Sequence, residues 1–353
     1  MKKLIGLCVS FMLLAGLLTG CAGAPEKNNA AATPENTPVP TQTSAPENTP
    51  AAEASTPDAG NDAGDATWPR TYVDALGNEV VLERQPERVV SIFHGMYHDY
   101  AYALGVYPVG VAGADTFLAK WSAFDQFLNE HPVVDIGSTG AANLELVLEL
   151  EPDVIIGMLT DEGNYEELSK IAPTILLDYG KLNTDWKYAL GEFAKIFGKE
   201  DRADDVISET EAAVANAAAR LADFRSRGES VIFLGINEKD IWPYIVDQLQ
   251  TVYSESGLAL SPPAGFEQWT DRSAALSLEA LAEYNPDHIF LLLNHGDKTA
   301  EAYLEELKSN TVWATISAVK NDNIYVTDRS IFAFNAPIST QYGAAFLAEK
   351  LAE

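Results

Sequence analysis

The chain has 353 residues, is 47% hydrophobic and carries a formal net charge of −29. A protein this acidic lacks the basic footprint that nucleic acid requires. Its only two cysteines, Cys8 and Cys21, lie near the start, so a disulfide within the body is excluded and stability must come from the core.

Lys2 and Lys3 precede the apolar run Leu4 to Leu17, and Leu18-Thr19-Gly20-Cys21 closes it. Residues 1–20 read as a targeting signal, too short in its apolar run to span a membrane. A cysteine directly after such a run resembles the bacterial lipoprotein signal, in which the thiol is lipidated and becomes the new N-terminus. Cys21 is therefore the expected lipid anchor. Residues 22–67 are rich in Ala, Pro, Thr, Asn and acids, with almost no larger aliphatic side chains. They cannot bury enough apolar surface to offset ordering entropy, so 21–67 is expected to be an extended tether reaching over about 100 Å.

The body, 68–353, is long enough for two lobes with separate cores. Val80-Val81-Leu82 after the turn Leu76-Gly77-Asn78 predicts a hairpin. Val89 to Phe93 is an apolar strand, and Asp99 to Leu104 a short helix closed by Gly105. Further strands are expected at Pro108–Val111, Val133–Ile136 and Thr174–Leu177, alternating with helices. That alternation implies a mainly parallel sheet covered by helices.

One unit occurs twice. Leu144-Glu145-x-x-x-Glu149-x-x-Pro152-Asp153-x-Ile155 returns as Leu278-Glu279-x-x-x-Glu283-x-x-Pro286-Asp287-x-Ile289. Each copy begins at a capping residue, Asn143 or Ser277, continues as a short helix, stops before proline and enters a buried strand. Between the copies, 202–227 is the longest helical pattern, with Ala203, Val206, Ile207, Val214, Ala217, Leu221 and Phe224 at three- and four-residue steps. No glycine or proline interrupts it, and Gly228 ends it after Arg225 and Arg227. A helix of that length reaches roughly 35–40 Å, enough to cross from one lobe to the other. The alternation restarts at Val231–Leu234. Ile324-Tyr325-Val326 is a late strand, and 337–352 a closing helix.

Several phrases in this order identify a family. They are Pro86-Glu87-Arg88-Val89-Val90, Ala103-Leu104-Gly105-Val106, Asn143-Leu144-Glu145, Lys170-Ile171-Ala172-Pro173-Thr174-Ile175, Gly198-Lys199-Glu200, and Trp313 followed by Ala318-Val319-Lys320-Asn321 and Ile324-Tyr325. The chain resembles the iron-siderophore and vitamin B12 solute-binding proteins of ABC importers over nearly all of 68–353. The Ile-Ala-Pro-Thr-Ile phrase looks more like the iron-siderophore branch. The resemblance implies an α/β fold of two lobes, each a mainly parallel sheet flanked by helices, joined by one long helix. The expected division is 68–201, the interlobe helix 202–227, and 228–353.

Glu145 and Glu279 fall in the first turn of the repeated helices, where a carboxylate complements the helix dipole. The resemblance implies a second role: these glutamates project from the tops of the lobes and meet arginines on the permease. Ligand contacts are sought at strand ends, where open α/β sheets bind ligands. His94 and Tyr97 in Phe93-His94-Gly95-Met96-Tyr97-His98-Asp99 follow the first strand; packing or capping is their plainer role. Trp121, Trp242, Tyr244 and Trp269, near Lys120, Lys239 and Arg272, offer the aromatic wall and positive charge that an anionic iron chelate needs. His295 and Arg329 follow predicted strands of the second lobe, and Phe334 and Asn335 belong to a loop that is a further candidate to face the cleft. No G-x-S-x-G elbow and no phosphate loop occurs.

The expected protein is a monomeric, lipid-anchored receptor outside the cytoplasm. It captures a ferric siderophore between its lobes and hands it to ABC permease subunits, with iron only as part of the chelate and no cofactor. Haem, with His94, Tyr97 or Met96 as ligands, and cobalamin are alternative cargoes. An exported zinc hydrolase on His94, His98 and Asp99 is the alternative of another class, although Gly95 stands where the general-base glutamate of a His-Glu-x-x-His motif belongs.

Overall fold

The computed structural model describes residues 67–93, 97–237, 240–293, 298–331 and 335–352. The signal, Cys21, the tether through residue 66, and the candidates His94, Met96, Lys239, His295 and Phe334 lie outside the described residues.

The expected hairpin forms from β1 (Arg70–Val73) and β2 (Glu79–Leu82), antiparallel with Arg70 opposite Leu82. The Asp74 carboxylate closes its turn by accepting from the N–H groups of Leu76 at 2.9 Å and Asn78 at 2.8 Å. Gly77 takes a φ of 87°, a conformation that favours glycine. Alternate residues Val80 and Leu82 turn inward, the period of a half-buried strand.

The next strands are β3 (Val89–Ser91), β4 (Gly110–Val111), β5 (Val134–Asp135), the small antiparallel pair β6 (Gly137–Ser138) and β7 (Ala141–Ala142), β8 (Val154–Met158) and β9 (Thr174–Leu177). Five of them make a wholly parallel sheet in the order β5-β4-β3-β8-β9. The second sheet contains β10 (Val231–Asn237), β11 (Asp240–Pro243), β12 (His288–Leu293) and β13 (Ile324–Asp328), ordered β11-β10-β12-β13. Here β10, β12 and β13 are parallel, and β11 folds back antiparallel on the edge. Two inner strands, β8 of the first sheet and β12 of the second, are apolar and buried along almost their whole length, as a sheet covered on both faces requires.

The repeated unit has one structure in both copies. Asn143 Oδ1 accepts from the N–H groups of Glu145 at 3.0 Å and Leu146 at 3.3 Å, starting the helix Leu144–Glu149. Ser277 Oγ accepts from Ala280 N at 3.1 Å and starts Leu278–Tyr284. The aspartate after each proline then fastens the unit to the first parallel strand of its own sheet. Asp153 accepts from Glu87 N at 2.9 Å and Arg88 N at 3.0 Å, just before β3. Asp287 accepts from Ser230 N at 2.9 Å and Ser230 Oγ at 2.8 Å, just before β10.

The long helical pattern is broken where no sequence signal marks it. The helix runs Glu200–Arg220, pauses at Leu221 (φ −87°, ψ 7°), and resumes as Ala222–Arg227. Leu221 is fully buried. Arg225 explains how the pause is tolerated: its Nη1 donates to the Ala218 carbonyl at 2.6 Å, satisfying an acceptor that an unbroken helix would bond internally. The 21-residue helix is about 32 Å long. Its early residues Ala203 and Val206 pack with Phe193 and Phe197 in the first-lobe core, and Ala217 packs with Phe224, Phe233 and Phe290 in the second.

A second helix shares this crossing. The closing helix Pro337–Leu351 follows Ala336, which belongs to the first core, and ends in Ala344, Leu347, Ala348 and Leu351 of the second. It packs along the long helix, with Gln341 Nε2 donating to Thr210 Oγ1 at 2.8 Å. Among the described residues no helix is long and apolar enough to cross a membrane.

Candidate functional site

The most distinctive cluster lies where the second sheet's strands end. Gly235 is in β10, Trp242 in β11 opposite it, Tyr244 just past β11, and Arg329 just past β13. A Cβ on Gly235 would lie 3.4 Å from the Tyr244 ring and 3.6 Å from Arg329 Nη2. Absence of a side chain there lets the ring and the guanidinium share the space. Burial pushes the Tyr244 hydroxyl's pKa up, and Arg329 beside it pulls it back. Arg329 Nε and the Trp242 indole N–H are buried and have no hydrogen-bond partner among the described residues. A partly buried cation with a buried nitrogen and a buried indole donor that lack acceptors among the described residues are costly for the protein alone, and a ligand rich in oxygen acceptors would satisfy both. Sequence reasoning named Trp242, Tyr244 and Arg329 separately; Gly235 it missed, since a glycine in a strand announces close approach but not of what.

Tyr97 is interior. It is 2% exposed, 5.0 Å from Phe93 and 5.1 Å from Phe193 between ring centroids, in the first-lobe core. His98 is wholly buried, with the Phe124 ring at 4.7 Å and Tyr102 and Trp121 at 6.0 Å. Asp99 is also buried, and both its oxygens are occupied: Ile338 N donates at 2.7 Å and Ser339 N at 2.9 Å, capping the closing helix. Burial lifts its carboxyl pKa to about 6 against the lowering effect of those bonds. His98 and Asp99 thus face different partners, and no group of three His, Cys, Asp or Glu side chains among the described residues converges as a metal site.

Trp121 is buried among Leu118, Ala123 and Phe124, while Lys120 beside it is half-buried. Trp269 is half-buried against the second-lobe core, and its indole donates to the Asp271 carbonyl at 2.8 Å in a turn that leaves Arg272 exposed. Glu145 and Glu279 are exposed at equivalent positions, with Glu149 and Glu283 exposed one turn later.

A groove of about 600 Å³ runs between the halves on another side. Its floor is Thr210, Glu211, Val214 and Ala215 of the long helix, and its walls are residues 182–187 and segments of 250–257. Asn335 and Thr340 also line it, and Asn335 Oδ1 and Thr340 Oγ1 are buried without partners among the described residues. Lys187 bridges to Glu211 at its rim. Apart from Asn335, no candidate from the sequence lines it. It is made by four segments remote in sequence, which no local pattern joins.

Residues 90–331 match the profile of the periplasmic binding protein family. The chain is 30% identical over 290 residues to the iron(3+)-hydroxamate-binding protein FhuD of Bacillus subtilis, a match covering 80% of this chain and 86% of that protein. A solved structure of the FhuD fold family from Bacillus subtilis, described as the periplasmic binding protein component of a ferrichrome ABC transporter, superposes with a TM-score of 0.65 at 28% identity, covering 80% of this chain and 100% of that one. SirA of Staphylococcus aureus, solved in complex with staphyloferrin B, superposes with a TM-score of 0.61 at 25% identity over 80% and 98% of the two chains.

Proposed function

This chain belongs to the periplasmic binding protein family, and from that membership we propose that it is the substrate receptor of an ABC importer for a ferric siderophore of the hydroxamate class. The observation that carries the cargo is Arg329, a guanidinium whose Nε is buried at the strand ends of the second lobe without an acceptor among the described residues. Tyr244 lies beside it, and Trp242 adds a second unpartnered donor. Guanidinium matches paired oxygens such as those of a hydroxamate or carboxylate. Triscatecholate complexes are strongly anionic and call for several cations together, whereas a trihydroxamate complex is nearly neutral and suits one cation among aromatic rings. The resemblance to an iron-hydroxamate-binding relative points the same way.

The rest of the reading follows the sequence. Cys21 is the lipid anchor, and the tether through residue 67 lets the body range above the membrane. Glu145 and Glu279 dock the two lobes on the permease. Exposed ion pairs are individually weak, so two at a fixed separation serve register and orientation more than affinity. The protein makes and breaks no bond of its cargo.

Tryptophan fluorescence titration with ferrioxamine B, ferric enterobactin and ferric citrate tests the cargo. Saturable quenching strongest with ferrioxamine B is the expected result. Preference for enterobactin or citrate overturns the hydroxamate class, and no response to any of the three overturns the siderophore reading. Cys21→Ser releases the protein into the medium or leaves it unprocessed if the anchor is correctly assigned; a processed, membrane-retained variant refutes it.

A further inference from the structure

Two short segments, one from each half, are joined by hydrogen bonds that run from the exposed Ser122 and the buried Ala123 to the buried Asp328 and Ser330. Ser122 donates to Asp328 Oδ2 from its backbone N–H at 3.2 Å and from its hydroxyl at 2.5 Å. Ala123 N donates to Ser330 Oγ at 3.2 Å. Ala123, Asp328 and Ser330 are all buried. The second carboxylate oxygen, Asp328 Oδ1, accepts from Ser330 N at 2.7 Å, so the carboxylate is held by its own lobe while it grips the other. Hydrogen bonds to a carboxylate are among the stronger kind, and three bonds at one place hold two segments more firmly than one.

The position of this bridge matters more than its strength. Lys120 and Trp121 directly precede Ser122, and Arg329 stands between Asp328 and Ser330. The carboxylate nearest to Arg329 in sequence is therefore engaged with the opposite lobe, consistent with the unpartnered Arg329 Nε. We propose that Ser122, Asp328 and Ser330 form an interlobe latch that sets Lys120 and Arg329 at a fixed separation before cargo arrives. The three are positioning residues, and ordering the site in advance removes part of the entropic cost of binding. The positioning role rests on the receptor reading given above, whereas the latch itself does not.

The test uses the full chain with Cys8 and Cys21 replaced by serine and spin labels on Glu149→Cys and Glu283→Cys, exposed residues at equivalent places in the two halves. Interlobe distance distributions are measured by pulsed electron resonance in the parent, in Ser122→Ala/Ser330→Ala and in Asp328→Ala. The double variant keeps the Asp328 contact with Ser330 N and so spares the end of β13 if Asp328→Ala fails to fold. Expected is a broader distribution in the variants, together with ferrioxamine B affinity lower by about tenfold. A distribution superimposable on the parent's in the folded double variant overturns the latch. Broadening with unchanged affinity overturns its positioning role. A parent that does not bind ferrioxamine B overturns the hydroxamate reading instead, and the distance measurement still decides the latch.

Discussion

Both halves of this molecule leave buried donors unpaired, and the donors differ in kind. In the first half they are the hydroxyls of Tyr97, Tyr100 and Tyr102, which have no partner among the described residues. Those rings lie deep in the aromatic core, with Tyr100 stacked on Phe193 at 5.2 Å and Tyr102 on Phe127 at 4.9 Å. In the second half they are the Trp242 indole and Arg329 Nε at strand ends. An unpaired phenol inside a core is tolerated because its ring contributes packing far exceeding the loss of one hydroxyl contact. A guanidinium nitrogen buried without an acceptor among the described residues has no such compensation, so it points to an acceptor that arrives from outside. The contrast teaches that an unsatisfied group signals function only when its surroundings offer the protein no reason to keep it.

The largest expected effect concerns a buried first-half group that does find partners, at the start of the closing helix. Asp99 has its pKa raised from 3.8 to about 6. The folded state therefore holds the proton more tightly, so the stabilisation linked to it is complete below about pH 4 and disappears as pH rises through 6. Urea unfolding of the unsubstituted protein relative to Asp99→Asn is expected to show this difference, on the order of 3 kcal/mol between pH 4 and 7. A pH-independent difference shows that Asp99 is ionised throughout and the cap is stronger than burial. Next in size, Arg329→Ala should weaken ferrioxamine B binding about tenfold or more. Its unfolding midpoint should hold or rise, because a partly buried cation whose Nε has no acceptor among the described residues is removed. Unchanged affinity would erase the distinction between the two sets of unpaired donors.

Tyr100→Phe sharpens the other side of the comparison. Stability should stay level or rise by up to about 1 kcal/mol, since the deleted hydroxyl has no partner among the described residues. A loss of more than about 2 kcal/mol would mean that the phenol is satisfied after all. The smallest effects belong to the repeated glutamates. Glu145→Ala and Glu279→Ala should each change stability by less than about 0.5 kcal/mol and leave ferrioxamine B affinity intact. Uptake by cells should still fall, and fall further in the double variant; normal uptake with weakened binding would place these carboxylates at the ligand instead.

Much of the architecture was legible because it is written in short-range periods. The hairpin at 70–82, the alternation of strands and helices, and the two copies of the Leu-Glu to Pro-Asp unit all depend on neighbours within a dozen residues. Even the role of Asp153 and Asp287 repeats, each binding the chain just before the first parallel strand of its sheet. The candidate site was legible only in part. Tyr244 and Trp242 were proposed as aromatic rings near basic residues, and Arg329 by the rule that ligands gather at strand ends; the structure brings the three into one cluster. Tyr97 satisfied the same rule yet points into the core, because Phe93 and Phe193 close over it.

By itself, then, the sequence determined the acidic character, the exported and tethered organisation expected of residues 1–67, the order of elements and the repeated lobe unit. Composition and local hydrophobic spacing suffice for those. Tertiary structure alone decided that the long helix pauses at Leu221, that the closing helix shares its crossing, that Gly235 admits Tyr244 and Arg329, and that Asp328 reaches Ser122 across the interface. Each of these depends on where a side chain's neighbours come from. Ser122 and Asp328 are 206 positions apart, and no periodic pattern in a chain encodes a meeting at that separation.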